Sequence, residues 1–205
     1  MHYNFLFNGC SITLGDELEH PEKDRYSTLI SNHFNKTHDN IAVGGSSNDM
    51  IIKRTLDWFE DGNTCDFAVI QWTFKNRVNW YDGNDVYAMG PSYKADHVKG
   101  YKHAQSFYYK TFYTEYMGNQ NLYKNIFFLK TYFELKQIKH YFFGASRGTS
   151  YDKGWQLYCD TLFALMEDTE EFTLENNPKY QCVRRHPNEL GHQVIANYLI
   201  PNIEL

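Results

Sequence analysis

The sequence predicts an α/β protein in which a mostly parallel sheet lies between two layers of helices. Three observations predict it. Short apolar runs end in glycine or small polar residues, segments with apolar residues at helical spacing follow them, and the two patterns alternate along the chain. Strands that alternate with helices form a parallel sheet covered on both faces. We therefore expect a three-layer α/β/α fold with four to five strands, in one domain over residues 1–205.

Each predicted strand is a short run of apolar or aromatic residues. The third, DFAVIQ, is a continuous apolar run of the kind that a strand buried on both faces shows. A fifth strand has no clear signal. The predicted strands are Tyr3–Asn8, Asn40–Val43, Asp66–Gln71 and Tyr141–Gly144.

The predicted helices repeat apolar residues every three or four positions. They are Asp24–Phe34, Asn48–Glu60, Ala104–Tyr116, Asn121–Lys139, Gly154–Asp168 and a last one that starts at Pro187 and ends before Pro201. The segment around 80–104 holds Gly, Asp, Asn and Pro without periodicity, so we expect a long loop or insertion there.

Charge and composition exclude several partners. The net charge is −5 and no Lys/Arg-rich run occurs, so we expect no nucleic-acid partner. The longest apolar runs are far shorter than a bilayer span, so we expect no membrane span. Met1 leads directly into a strand without a leader-like segment, and the four cysteines form no CxxC pair. We therefore expect a cytoplasmic protein with reduced thiols.

Three predicted loops leave the carboxyl ends of strands. They are Gly9–Gly15, Gly44–Asn48 and Trp72–Arg77. In open α/β sheets, ligands bind beyond these ends, near the point where strand order reverses. The loops should therefore meet at one site.

Ser11 and His186 are the candidate catalytic pair. Ser11 directly follows a predicted strand, and His186 precedes a proline-initiated helix, a position that can aim an imidazole at a hydroxyl. The alternatives are that Ser11 only caps a helix, or that Cys10 is the nucleophile. His192 is expected inside the last helix in a structural role, and no His, Cys or carboxylate spacing completes a metal site.

At this point the chain resembles the SGNH hydrolase superfamily, the GDSL-like esterases and acylhydrolases. The segments GCSITLG, NIAVGGSSND and HPNELGH resemble its first, second and last blocks, and they span almost the whole chain. The resemblance implies a flavodoxin-like sheet, Ser11 as nucleophile, His186 as general base and no cofactor. It also implies that the backbone N–H groups of Ser11 and Gly45 form the oxyanion hole.

Two positions depart from the family pattern. The third block is usually GxND, whereas this chain has IQWTFKNR, so the resemblance leaves Asn76 or Thr73 as the third oxyanion donor. The aspartate usually found three residues before the histidine is replaced by Val183. We expect a backbone carbonyl to orient His186 instead.

Other groups near the histidine complete this expectation. Asp16 and Glu17, in the loop after the nucleophile, are the nearest carboxylate alternatives in sequence, and the neighbouring Arg184 and Arg185 would lower the histidine's pKa.

The expected reaction is hydrolysis of a small-molecule or glycan ester through an acyl-serine, with a sugar acetate favoured over a lipid or thioester. The candidate substrate-binding residues are Trp72, Arg77, Trp80 and Tyr81. Most rings of the aromatic run SFYYKTFYTEYM are expected in helix contacts, and the rest could wall an acyl or sugar site. The rival hypothesis is a non-catalytic glycan-binding or interaction module that retains the fold.

Overall fold

The computed structural model describes residues 1–83, 85–93, 99–144, 160–161, 178–183 and 186–205. Its strands are β1 (His2–Asn8), β2 (His38–Asn40), β3 (Thr64–Trp72), β4 (Val78–Asp82), β5 (Asp85–Met89), β6 (Lys139–Gly144) and β7 (Asp160–Thr161). Its α-helices are α1 (Ser11–Leu14), α2 (Pro21–Asp24), α3 (Tyr26–Phe34), α4 (Asn48–Glu60), α5 (Tyr101–Thr111), α6 (Glu115–Leu135) and α7 (Glu189–Leu199). Short 3₁₀ turns cover Pro178–Tyr180 and Ile200–Asn202.

Five strands form a parallel sheet in the order β2-β1-β3-β6-β7. The chain builds β1 first, adds β2 on one side, and then crosses back to place β3 on the other side. The strand order therefore reverses between β1 and β3, which pair from His2 opposite Thr64 to Asn8 opposite Ile70. Their adjacent carboxyl ends mark the place where an α/β sheet binds ligands.

The core lies in two layers because alternate residues of each strand point to opposite faces of the sheet. On one face, Phe5 and Phe7 of β1 and Val69 of β3 pack against α3 and α7. On the other face, Leu6 and Ile70 pack against α4 and α6. This is the predicted three-layer α/β/α fold with five strands in its sheet.

Several predicted elements differ from the structure in type or position. The second strand is His38–Asn40 rather than Asn40–Val43. Its pairing with β1 ends with the Ile41 N–H bonded to the Phe7 carbonyl (2.9 Å), and Val43 already belongs to the next turn, where its carbonyl accepts from the Ser46 N–H. The first predicted helix is broken at Arg25, whose backbone is extended. The predicted helix Gly154–Asp168 lies outside the described residues except at Asp160–Thr161, where it is wrong, because these two residues pair with β6.

The segment around 80–104 is not a structureless loop. Strands β4 and β5 form an antiparallel hairpin with Asp82 opposite Asp85. The Gly83–Asn84 dipeptide between runs of β-formers is a hairpin signal that the absence of helical periodicity concealed. Tyr101, at the start of α5, is buried against Met89 of this hairpin.

Candidate active site

Ser11 lies at the carboxyl end of β1, as the first residue of the single-turn helix α1. Its side chain is 7% exposed, and its Oγ lies 3.8 Å from Cys10 Sγ. Within the described ranges, its backbone N–H donates no hydrogen bond and its hydroxyl makes none to His186. The position leaves an N–H and a hydroxyl at the end of the sheet.

Buried amide side chains hold the turn that carries Ser11. Gln71 of β3 accepts hydrogen bonds through Oε1 from the Cys10 N–H (3.0 Å) and from the Thr13 hydroxyl (3.1 Å). Asn8 accepts from the Gly9 N–H through Oδ1. A Cβ at Gly9 would lie 2.2 Å from Thr13 Oγ1, so only glycine fits between these groups. The turn is therefore held by Gln71 of β3 as well as by its own neighbouring residues.

Gly45 lies in the turn between β2 and α4 with φ +75°, a backbone conformation that favours glycine. The Tyr93 hydroxyl donates to its carbonyl (3.3 Å), and burial raises the pKa of Tyr93 to about 12, which keeps this hydroxyl protonated. In the part of the chain that is described, the Gly45 N–H donates no hydrogen bond. The next residues are braced by arginines, since Arg54 donates to Ser46 Oγ (2.6 Å) and Arg77 to the Ser46 carbonyl (3.3 Å).

The third loop is bound to the second. Asn48 Oδ1 accepts from the Thr73 N–H (2.8 Å), and its amide donates to the Thr73 carbonyl. Arg77 donates to Thr73 Oγ1 (2.7 Å), while the Asn76 carbonyl accepts from the Tyr109 hydroxyl. The three loops therefore meet at one end of the sheet, as predicted. The bracing residue Asn48 escaped the sequence analysis because its role depends on a long-range contact.

His186 is oriented by a carboxylate. Its Nδ1 lies 2.6 Å from Glu17 Oε2, and its backbone N–H donates to the same oxygen at 3.4 Å. The expectation of a backbone carbonyl is therefore wrong, and Glu17, one of the two acidic alternatives, takes the position. Glu17 can reach because its own backbone is left-handed (φ 72°), which redirects its side chain, whereas Val183 is almost fully exposed.

This contact fixes which nitrogen of His186 carries a proton. A carboxylate only accepts, so Nδ1 donates to it and the neutral ring presents an unprotonated Nε2. The side chains of His186 and Glu17 are only 26% and 18% exposed, so solvent screens their contact weakly. Arg184 and Arg185 lie outside the described residues.

His192 is fully buried in α7, and its Nδ1 accepts from the Tyr26 N–H (3.1 Å). Burial, and then the neighbouring His186 and Arg25, lower its pKa to about 3. It is therefore neutral at physiological pH and holds α3 against α7, which fits the expected structural role. Cys10, the alternative nucleophile, is buried with its Sγ 3.1 Å from Gln71 Oε1.

The four candidate substrate-binding residues lie in different places. Trp72 is 1% exposed and packs on Phe142 in the core, so its expected contact with substrate is wrong. Trp80 packs against the buried Met89 and Tyr101, and Tyr81 is exposed. Arg77 is half-buried and lies over the Tyr93 ring, 5.1 Å from its centroid, beside the Gly45 turn.

Within the described residues, no three His, Cys, Asp or Glu side chains are grouped as metal ligands. No helix in these ranges has the length and apolar character to cross a membrane.

No protein-family profile and no curated protein sequence matches the chain. Solved structures do match it over nearly its full length. The esterase EstA from a Pseudoalteromonas species superposes with a TM-score of 0.56 at 10% identity, covering 97% of this chain and 94% of its own. A putative lipolytic protein of the G-D-S-L family from Desulfitobacterium hafniense gives 0.58 at 10%, covering 98% and 99%. TesA gives 0.59 at 13%, covering 98% of each chain.

The chain therefore has the fold of the SGNH, GDSL-type hydrolases, as the sequence motifs indicate. Two matches are larger proteins. A carbohydrate esterase matches with a TM-score of 0.54 at 12% identity, over 97% of this chain and 64% of its own. A two-domain esterase active on acetylated mannans gives 0.51 at 15%, over 97% and 48%.

Proposed function

We propose that this protein is a serine esterase that cleaves a carboxylic ester through an acyl-serine intermediate. The observation that carries the proposal is the 2.6 Å contact between His186 Nδ1 and Glu17 Oε2, in the loop that follows Ser11. A carboxylate on Nδ1 leaves Nε2 as the base, the arrangement that a serine nucleophile requires. The esterases that share the fold support the same reaction class.

In the first half of the reaction, His186 Nε2 takes the Ser11 hydroxyl proton as Oγ forms a bond to the ester carbonyl carbon. The negative charge moves to the carbonyl oxygen, which accepts from the N–H groups of Ser11 and Gly45. His186 then returns the proton to the alkoxide as the ester C–O bond breaks, and the alcohol leaves. Glu17 stabilises the imidazolium without taking its proton.

In the second half, His186 takes a proton from water, whose oxygen attacks the acyl carbon. Collapse of this second tetrahedral intermediate releases the carboxylic acid and returns the proton to Ser11 Oγ. In this structure without substrate, the Ser11 hydroxyl contacts Cys10 Sγ instead of His186. Catalytic hydrogen bonds commonly tighten only when substrate binds, and the proposed mechanism requires the Ser11 hydroxyl to exchange this contact for one to His186.

Thr73 is our choice over Asn76 for the third oxyanion donor. The Thr73 oxygen accepts from Arg77, so its own proton remains available to donate, and Arg77 also holds the Gly45 turn through the Ser46 carbonyl.

A carbohydrate O-acetyl ester is the proposed substrate class. Two enzymes with this fold are a carbohydrate esterase and an esterase active on acetylated mannans, which supports this choice. Tyr81, Tyr93 and Arg77 supply rings and hydrogen-bond donors rather than a long apolar channel. A lipid or thioester acyl chain is the second choice.

The test is the Ser11→Ala variant, assayed with p-nitrophenyl acetate and with acetylated mannan and xylan oligosaccharides. Loss of turnover with an unchanged melting temperature is expected, because the variant loses only a hydroxyl. Turnover that persists in Ser11→Ala contradicts the nucleophile. Faster turnover of a long-chain ester or an acyl thioester than of the sugar acetates contradicts the substrate class alone.

A non-catalytic glycan-binding module is the second candidate function. The contact of Ser11 with Cys10 rather than His186 favours it, and one structure with the fold is described as having divergent catalytic and non-catalytic binding functions. A wild-type protein that binds acetylated glycans without hydrolysing them would establish this alternative.

A further inference from the structure

A cavity of about 370 Å³ opens beside the β4–β5 hairpin, between strand β4 and helices α4, α5 and α6. It lies within the size range of small-molecule sites. Neither Ser11 nor His186 lines it. Its walls are Asp49, Lys75, Val78, Asn79, Tyr81, Tyr108, Tyr113, Met117, Gly118 and Asn121.

We propose that this cavity binds a sugar ring. Three tyrosine rings line it together with one carboxylate and two amide side chains. Ring faces pack on the C–H faces of a sugar, while carboxylate and amide groups exchange hydrogen bonds with its hydroxyls. An acyl chain would displace water from these polar groups without offering hydrogen bonds in return, at a cost in free energy.

The charges in the cavity favour a neutral ligand. The Lys75 ammonium, 9% exposed, is paired with Glu115 (2.5 Å) and donates to Asn119 (2.9 Å), so it is already neutralised. Asp49 is held by amides rather than a cation, through Asn125 (2.9 Å) and Asn121 (3.4 Å). Asp49 repels an anion such as phosphate, and both of its carboxylate oxygens already accept from amides. No group on the cavity wall therefore requires a charged ligand.

Tyr108 offers a hydroxyl to the ligand. Among the described residues its hydroxyl makes no hydrogen bond, although its ring is held edge-on against Tyr109 with centroids 5.1 Å apart. A hydroxyl on a cavity wall without a protein partner is available to a bound polyol. Removing it therefore costs binding free energy and little stability.

A hydrogen bond connects the cavity wall to the Gly45 turn. Asn79, on this wall, accepts from Ser47, which caps α4 two residues after Gly45.

The test measures binding of unacetylated mannose, xylose, galactose and N-acetylglucosamine oligosaccharides to the full chain by calorimetry and saturation-transfer NMR. We expect at least one to bind, with Tyr108→Phe weakening it about threefold to tenfold through one lost hydrogen bond and Tyr81→Ala about tenfold through lost ring contact. The control Tyr116→Ala, at a residue 72% exposed and outside the cavity, should bind like the wild type.

Three results would overturn the inference. They are that no oligosaccharide binds, that both cavity variants bind oligosaccharide as tightly as the wild type does, or that choline or inorganic phosphate binds in the cavity instead. Melting curves of Tyr108→Phe and Tyr81→Ala show whether a loss reflects unfolding. Because no turnover is measured, esterase activity that survives without sugar binding rejects this site alone, and sugar binding without activity rejects only the esterase.

Discussion

Replacing Glu17 by glutamine keeps the size of the side chain but removes the negative charge beside His186. During the reaction the imidazole becomes a cation, and its contact with Glu17 at 2.6 Å becomes an ion pair. Two unit charges about 4 Å apart attract by about 4 kcal/mol at the effective dielectric of about 20 that suits partly buried pairs. If this attraction is lost only in the transition state, the rate falls by about 10³-fold.

The assay is steady-state hydrolysis of p-nitrophenyl acetate, with kcat and KM determined separately. We expect Glu17→Gln to lower kcat by about 10²- to 10³-fold with little change in KM, and Glu17→Asp to recover part of the loss. Glu19→Gln is the matched control, since its side chain is 83% exposed in the same loop. A Glu17→Gln enzyme that folds normally and retains wild-type kcat would refute the role of this carboxylate.

Two further predictions concern the Gly45 turn and the buried His192. Gly45→Ala should lower kcat more than it raises KM, because the left-handed backbone (φ +75°) must shift and move the donor N–H. The control Gly62→Ala, with φ +79° and no neighbour within 4 Å, should lose similar stability in urea unfolding but keep its kcat. Equal losses of kcat in the two variants would contradict the role of Gly45. The pKa of His192 is lowered to about 3 from 6.5, so its stabilising contribution is complete above pH 6.5 and is lost as pH falls towards 3. The wild-type free energy of unfolding should drop by about 2 kcal/mol more than that of His192→Asn between about pH 7 and pH 5, and equal pH dependence would contradict it.

The layers of the fold follow from patterns that the sequence carries locally. Alternating residues of β1 and β3 distribute Phe5 and Phe7 to one core and Leu6 to the other, so burial on both faces is readable from the strands themselves. The hairpin is not predicted from the sequence because its signal, Gly83–Asn84, is two residues long inside a segment without periodicity. Asn40 ended a strand where apolar character alone predicted one to begin.

The sequence predicts those parts of the site in which a reactive residue lies directly after a recognisable strand. The three loops could be placed together because parallel strands end at the same edge of the sheet. Glu17 was one of two candidates only, since choosing it requires the left-handed backbone that sends its carboxylate to a residue 169 positions away. Trp72 was misassigned because alternation along β3 turns its ring into the core.

The most direct test of the central claim is labelling with a fluorophosphonate, which reacts rapidly only with an activated serine. The wild-type protein should take up one label, detected by intact mass and mapped to the peptide containing Ser11. Ser11→Ala should take up none, and His186→Ala should label far more slowly. A folded wild-type protein that remains unlabelled, or that carries the label on another residue, would contradict the account of Ser11 as a nucleophile activated by His186.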